Sequence, residues 1–459
     1  MQEHVQLNSK EVNDILLKDV LGMPKWWLPA VLFFLVVFLA GGAAFGYMLN
    51  KGVGVTGLNR PVMWGFFMVN FVFWIGISHA GIMISAILRL TQAEWRRPLT
   101  RAAEVLTVFS LTSALMAAPL VHVGRPWRAA LWVFPYDFER GVWPNVRSAF
   151  VWDPSAVMTY LTASTLFVII ALLPDLAIIR DRTTGTAHKV YSLLCLGWRG
   201  TPRQWKLQAV AGILLSALVL PVFVSVHSIV SWDFAVQVGV EGWHSTIFAP
   251  YFIIGAIHSG VSAVATVMVL MVWLYKWQKI LTPDHLDAIG RLLIIVATIW
   301  FFAFFLEWVF ALYTLEDPEL ALRELQVFKH PWMALFIVFL ITAYFFPVPM
   351  WMFKKVRRNM FWMFVTTISV NIGMWLERFL IIVLGLARRQ AFTFDWGTYH
   401  PSMIEILMVI ATFAWVMFGM LVFAKVFPLI PLFDIKEGMV GGPHKIKIGR
   451  KEIPASIHE

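Results

Sequence analysis

Charge is scarce in this sequence. Only 14% of its 459 residues are Asp, Glu, Lys or Arg, and 59% are hydrophobic; a typical soluble domain carries about 25% charged residues. A soluble globular fold is excluded on that ground. Cysteine is almost missing, with Cys195 alone. A single thiol closes no disulfide within the chain and cannot supply the thiolates of an iron–sulfur cluster, so Cys195 reads as inert. No Walker motif, dinucleotide fingerprint or zinc motif is present either, which removes the common nucleotide-driven and zinc-dependent chemistries.

What remains is a series of apolar runs, several longer than the roughly 20 residues that cross a bilayer. Lipid offers backbone groups no water, so such runs must be helices. We read an all-α polytopic membrane protein with ten spans: Trp27–Leu49, Val62–Leu88, Ala102–Val121, Ser155–Leu173, Leu207–Val230, Ile247–Tyr275, Ile289–Tyr313, Pro331–Phe353, Met360–Leu386 and Ser402–Phe427. No signal peptide is expected before Trp27. Residues before it read as an amphipathic segment (Val12, Ile15, Leu16, Val20) lying against the membrane. The tail after Phe427 reads as an extension without a core of its own.

The formal net charge of +10 invites a nucleic-acid reading, but its placement argues against one. Basic residues fill alternate loops, among them Arg89, Arg96, Arg97 and Arg101, then Arg180 to Lys206, then Lys354 to Arg358, while 231–246 has none. That is the positive-inside bias. It places both termini in the cytoplasm and the 119–153 connection outside.

A short internal echo organises the middle of the chain. Gly76-Ile-Ser-His79-Ala-Gly81 on the second span is answered by Gly255-Ala-Ile-His258-Ser-Gly260 on the sixth. Each histidine follows a tryptophan, Trp64 or Trp243, by fifteen residues. Spans two to five and six to nine then read as two four-helix bundles related as parallel repeats, with spans one and ten flanking them. The corresponding division is 1–61, 62–246, 247–400 and 401–459.

Two polar constellations stand out. The first collects at the outer ends of spans three to five. His122 leaves span three after Pro119; Arg125, Trp127 and Arg147 follow; Trp152 and Asp153 open span four; His227 and Asp233 close span five. Singly, each has a plain reading: Asp153-Pro154 as a helix N-cap, arginines reaching headgroups, tryptophans in the aromatic belt. Together, a histidine facing an aspartate suits a ligand with a lipid tail and an ionisable head, such as a quinol. Histidine and carboxylate are the general bases that deprotonation of a quinol asks for. The second constellation is intramembrane: His79, His258, Glu307 and the neighbours Glu377 and Arg378. Such groups are costly in lipid and face protein or water. They read either as structural pairs or as a proton path. Adjacent helical residues do not face each other, so Glu307 is the expected partner of Arg378. Haem ligation needs paired, suitably placed histidines, and none is expected, since His122 and His227 lie near helix ends.

The stretches WIGISHAGIMISAILR, PLVHVGRPWR, NVRSAFVWD and SWDFAVQVGVEGWHSTIFAPYF resemble the NrfD-like, or polysulfide-reductase, family of membrane subunits, and within it the larger quinol-binding membrane subunit of bacterial alternative complex III. The resemblance implies a quinol:acceptor oxidoreductase subunit in a bacterial inner membrane, inactive alone, with menaquinol or ubiquinol as substrate and no haem or cluster of its own. It implies catalytic His122, Asp153 and Asp233, supported by Arg125, Trp127, Arg147, Trp152 and His227. It also implies partners: an iron–sulfur subunit on the periplasmic face, multi-haem cytochromes c, a second NrfD-like subunit, a terminal oxidase and lipids, with no nucleic acid. Proton translocation is a further implied property. A quinone-reducing anchor of a molybdopterin-type reductase is the alternative, and a secondary transporter stands third.

Overall fold

The computed structural model describes residues 8–79, 81, 83–123, 141, 149–238, 240–243, 245, 247–388, 399–440, 445–448 and 451–454. The fold is helical, apart from a two-stranded antiparallel ribbon near the C terminus, β1 Lys445–Ile448 and β2 Lys451–Pro454. In chain order the main helices are α1 Ser9–Leu21, α2 Trp27–Lys51, α3 Phe66–Leu90, α4 Thr100–Val123, α5 Ala149–Asp181 and α6 Gly185–Leu194. Then come α7 Pro202–Ala235, α8 Phe248–Tyr275, α9 Pro283–Thr314, α10 Asp317–Phe328, α11 Trp332–Met352, α12 Met360–Ala387, α13 Met403–Val426 and α14 Leu432–Val440. Among the described residues nine helices are long and apolar enough to cross a bilayer. Helix α4, which carries Arg101 and Glu104, matches them in length with 24 residues, about 36 Å at 1.5 Å per residue. The protein is a multi-pass integral membrane protein.

Packing follows the chain. Helices α3, α4, α5 and α7 close on one another, as do α8, α9, α11 and α12; α2 lies along α13, and α13 packs on α3 and α4 of the first group. The two groups meet where α3 touches α8, with small residues closely packed: a Cβ at Gly76 would make ordinary contact, 3.7 Å from Ala256 Cα and 3.5 Å from Ser259 Oγ. Small residues serve this purpose in lipid, where burial of apolar surface gives helices no reason to associate. At the same seam Trp64 and Trp243 stack at 6.3 Å with planes 9° apart, and Phe234 stands edge-on to both.

Three expectations need correction. Helix α1, held by an Asn8–Glu11 capping box, buries Val12, Leu16 and Val20 against protein, and Trp277 Nε1 donates to Asp19. The tail does not stand apart: Leu429, Ile430 and Leu432 are buried in the body, and α14 docks on α5. Asp153 is no N-cap, because α5 begins at Ala149 and takes Pro154 into its interior. Pro154, the sixth residue of α5, has no N–H to give the Phe150 carbonyl, so the helix loses one backbone bond there.

Candidate functional site

The first group of helices is built around one carbonyl. The regular turn of α3 ends at Ser78, and its carbonyl accepts from Thr107 Oγ1 of α4 at 2.6 Å and from Tyr160 OH of α5 at 2.8 Å. Only glycine fits one turn on: a Cβ at Gly81 would lie 2.0 Å from Thr107 Oγ1. His79, fully buried, is oriented by this junction. Its Nδ1 donates to the Ile75 carbonyl at 2.5 Å, which leaves Nε2 as the free acceptor nitrogen. The ring lies 4.9 Å from Phe223, 5.1 Å from Tyr160 and 4.6 Å from His227, the last edge to face.

The sequence places His227 near a helix end, beside the outer loop. It lies instead at the depth of His79, buried, with neither nitrogen hydrogen-bonded among the described residues. The two imidazoles touch, so no planar group fits between them as they stand. A helix position gives the distance from the end but not the depth at which a neighbouring helix is met, so the contact is invisible to the sequence.

Toward the end of the bundle reached by α4 at Val123, two carboxylates approach from separate helices. Asp153 of α5 is buried. Asp233, half-buried, opens a π-helical turn, Asp233–Val238, at the end of α7. That turn packs against α5, the helix of Asp153. Trp152, by contrast, turns outward, 38% exposed. The backbone of His122 belongs to α4, but its side chain lies outside the described residues, as do Arg125, Trp127 and Arg147 entirely.

The second group holds the deeper acids, and the expected Glu307–Arg378 pair does not form. Arg378 Nη1 bonds its own neighbour, Glu377, and its guanidinium lies 4.6 Å from the Phe252 ring centroid. Adjacent Cβ atoms diverge, yet both side chains are long enough to curl to one point. Glu377 also gathers Tyr251 OH and, at 3.0 Å, Trp300 Nε1 from other helices. Glu307 takes Ser245 Oγ at 2.5 Å and an ion pair to Arg323 at 3.9 Å. Arg323 sits on α10, a connecting helix whose role no sequence signal announces. His258 stacks on Trp300 at 5.4 Å and donates from Nε2 to the Ala343 carbonyl at 3.2 Å. Glu307, Glu377 and Tyr251 face one cavity of about 50 Å³.

At the opposite, arginine-rich end, Arg89, Arg96, Arg97 and Arg101 share a cavity of about 600 Å³ with Glu104 and Asp434. Buried Arg101 pairs with buried Asp175, whose carboxylate also accepts the backbone N–H groups of Leu432 and Phe433 at 3.1 and 3.0 Å. Glu104, bonded to Ser85, is missing from the sequence-based candidates, although an acid inside an apolar run is signal enough. Among the described residues no group of three or more His, Cys, Asp or Glu is placed to hold a metal ion.

The chain is similar to a putative dimethyl sulfoxide reductase membrane subunit of Halobacterium salinarum, at 27% identity over 53% of this chain and 51% of that protein, so only about half of that relative is spanned. It is 22% identical to an Hdr-like menaquinol oxidoreductase integral membrane subunit of Archaeoglobus fulgidus, over 88% of this chain and 95% of the relative. It is 21% identical to a selenate reductase subunit of Mesobacillus selenatarsenatis, over 76% and 79%. None of these three is an alternative complex III subunit, so the resemblance holds at the level of the family. Residues 54–389, from just before α3 to the end of α12, match the model described as polysulphide reductase, NrfD, and with that match covering well over half of its length the chain belongs to the NrfD family.

Proposed function

We propose that this chain is the quinol-oxidising membrane subunit of an oxidoreductase complex. The observation that carries the reading is the packing of the Asp233 turn against α5, the helix of Asp153, at the end where α4 delivers His122. Oxidation of a quinol releases two protons and two electrons. His122 and Asp153 would take the hydroxyl protons, Asp233 would pass them on, and Arg125, Trp127 and Arg147 would frame the head, while Trp152 faces outward and His227 lies deeper, beside His79. With a single cysteine the chain builds no iron–sulfur cluster, so the electrons leave through a partner with its own cofactors. The names of the relatives favour this direction: a menaquinol oxidoreductase draws on menaquinol, and a selenate or dimethyl sulfoxide reductase consumes electrons. They favour a reductase module as electron acceptor at least as strongly as the cytochromes c of an alternative complex III. Menaquinol is the substrate we favour over ubiquinol.

In this reading the Asp153 end faces outward and both termini lie in the cytoplasm, as the basic loops suggest. The second group would serve as a proton path through His258, Glu377, Arg378 and Glu307, with His79 its counterpart in the first group. Support comes from the two acids facing one cavity of about 50 Å³, room for a few waters.

The test is made on the assembled complex. His122→Ala and Asp153→Asn are each expected to lower quinol:acceptor turnover by about a hundredfold or more while every partner still co-purifies. Near-normal turnover in both variants refutes the site. Molybdenum rather than c-type haem in the purified complex identifies the partner as a reductase.

A further inference from the structure

The cavity of about 600 Å³ at the arginine-rich end plays no part in the quinol site. Its four arginines are not equally occupied. Arg97 holds Glu94 and Glu437, and Arg101 holds Asp175. Among the described residues Arg89 and Arg96 pair only with Asp434, at 4.0 and 3.9 Å. A charge-assisted hydrogen bond is much shorter, about 2.7–2.9 Å. Arg89 Nε and Arg96 Nη1 have no hydrogen-bond acceptor among those residues, and buried polar nitrogens are seldom left so. These groups can be reached. The side chains of Arg89, Arg96 and Asp434 keep exposures of 22%, 12% and 19%, and all three line the cavity. Gly212 of α7 makes room for Arg89, since a Cβ there would lie 2.4 Å from Arg89 Nη1.

The acids narrow the choice of occupant. Glu94, Glu104, Asp434 and Glu437 face the same cavity, and Asp175 stands behind Arg101. Carboxyl groups thus match the guanidiniums in number, and a bare anion would meet repulsion as well as attraction. A dipolar head suits the site: acceptor oxygens for the two under-used arginines, and a donor cation for Asp434. The outline of the cavity points to a lipid. It runs along α5 at Ala171 and Pro174 and along α7 at Gln208, Ala209 and Ile213. Ile213 stands about 16 Å along α7 from its start at Pro202, and it is 56% exposed on a membrane-spanning helix. A soluble ligand has no use for that wall. We propose that the cavity holds the head of a phospholipid whose phosphate accepts from Arg89 and Arg96 and whose primary ammonium donates to Asp434, with the acyl chains leaving past Ile213. Basic pockets between spans are common seats for lipid heads. Arg89 belongs to α3 and Asp434 to α14, so the lipid ties the C-terminal helix to the first group of helices.

The test uses the purified complex, stripped of lipid in detergent and titrated in native mass spectra with phosphatidylethanolamine, phosphatidylcholine and phosphatidylglycerol of one chain length. Phosphatidylethanolamine is expected to bind about tenfold more tightly than the other two, the scale of one hydrogen bond to a charged group. Choline has no N–H to donate, and glycerol carries no cation. Arg89→Gln and Arg96→Gln are each expected to weaken phosphatidylethanolamine about tenfold. Asp434→Asn is expected to erase the preference over phosphatidylcholine while both lipids still bind. Lys206→Gln, an exposed change on α7 away from the cavity lining, is the control and is expected to change nothing. Phosphatidylethanolamine bound no better than the other two by the parent overturns the proposal, and that outcome depends on no variant folding. So does an undiminished preference in Asp434→Asn, or unweakened binding in both arginine variants. Displacement of the lipid by millimolar inorganic phosphate marks a free-anion site and overturns it too. A phosphatidylethanolamine with a diazirine tail is expected to crosslink to segments 170–174 and 205–213, and crosslinks confined elsewhere refute the cavity as its seat.

Discussion

Removing the Asp175 carboxylate is expected to release the C-terminal segment from the membrane body. The pair it forms with Arg101 is deeply buried, with side-chain exposures of 0% and 3%. Asp175→Ala leaves the guanidinium with the Ala171 carbonyl at 2.8 Å and the Pro428 carbonyl at 3.3 Å, but with its charge uncompensated. Breaking one side of a buried pair costs about 3–5 kcal/mol. The same substitution strands the N–H groups of Leu432 and Phe433, at about 1–3 kcal/mol each if water does not reach them. These terms are not additive, so about 4 kcal/mol is a fair lower figure. Because both N–H groups belong to α14, the loss falls on the docking of that helix. A change of about 4 kcal/mol raises the open population by about a thousandfold. Trypsin cleavage at Lys436 in nanodiscs reads that population while opening and closing stay fast. Asp175→Asn keeps an acceptor for the two N–H groups and is expected to fall between parent and Asp175→Ala. Cleavage of Asp175→Ala within a few-fold of the parent, with an unchanged melting curve, would refute the claim that this carboxylate holds the tail.

Two other substitutions probe the helix groups. Glu377→Leu strands Tyr251 OH, Trp300 Nε1 and the Arg378 charge together, so a loss of about 3–5 kcal/mol is expected. Glu377→Gln keeps the acceptor oxygen and is expected to lose less, as thermal unfolding of the two purified variants would show. Gly81→Val is expected to abolish the folded protein, because its Cβ would meet Thr107 Oγ1 at 2.0 Å and the Ala103 carbonyl oxygen at 2.4 Å. Gly42→Ala, with open space around it, is the matched control, and size-exclusion yield compares the two.

The spans are legible in the sequence because length and apolarity alone decide what crosses a bilayer. The fifteen-residue offset from Trp64 to His79 and from Trp243 to His258 is legible as well, and the structure stacks those tryptophans at the seam where α3 meets α8. Facing is harder. In water an apolar stripe marks the buried side of a helix, but in lipid both sides are apolar and the stripe carries no such message. That is why the sequence points Arg378 at Glu307, which Arg323 already holds, and why it leaves His227 at the surface. The readable stripe in such a helix is the polar one. On α4, Glu104, Thr107, Ser110 and Ser113 recur every three residues, and all four are buried. They mark the face that α4 turns to its neighbours: Ser85 takes Glu104 and the Ser78 carbonyl takes Thr107. A buried polar group must find a partner in protein or water, so in this chain hydroxyls and carboxylates, not leucines, locate the core.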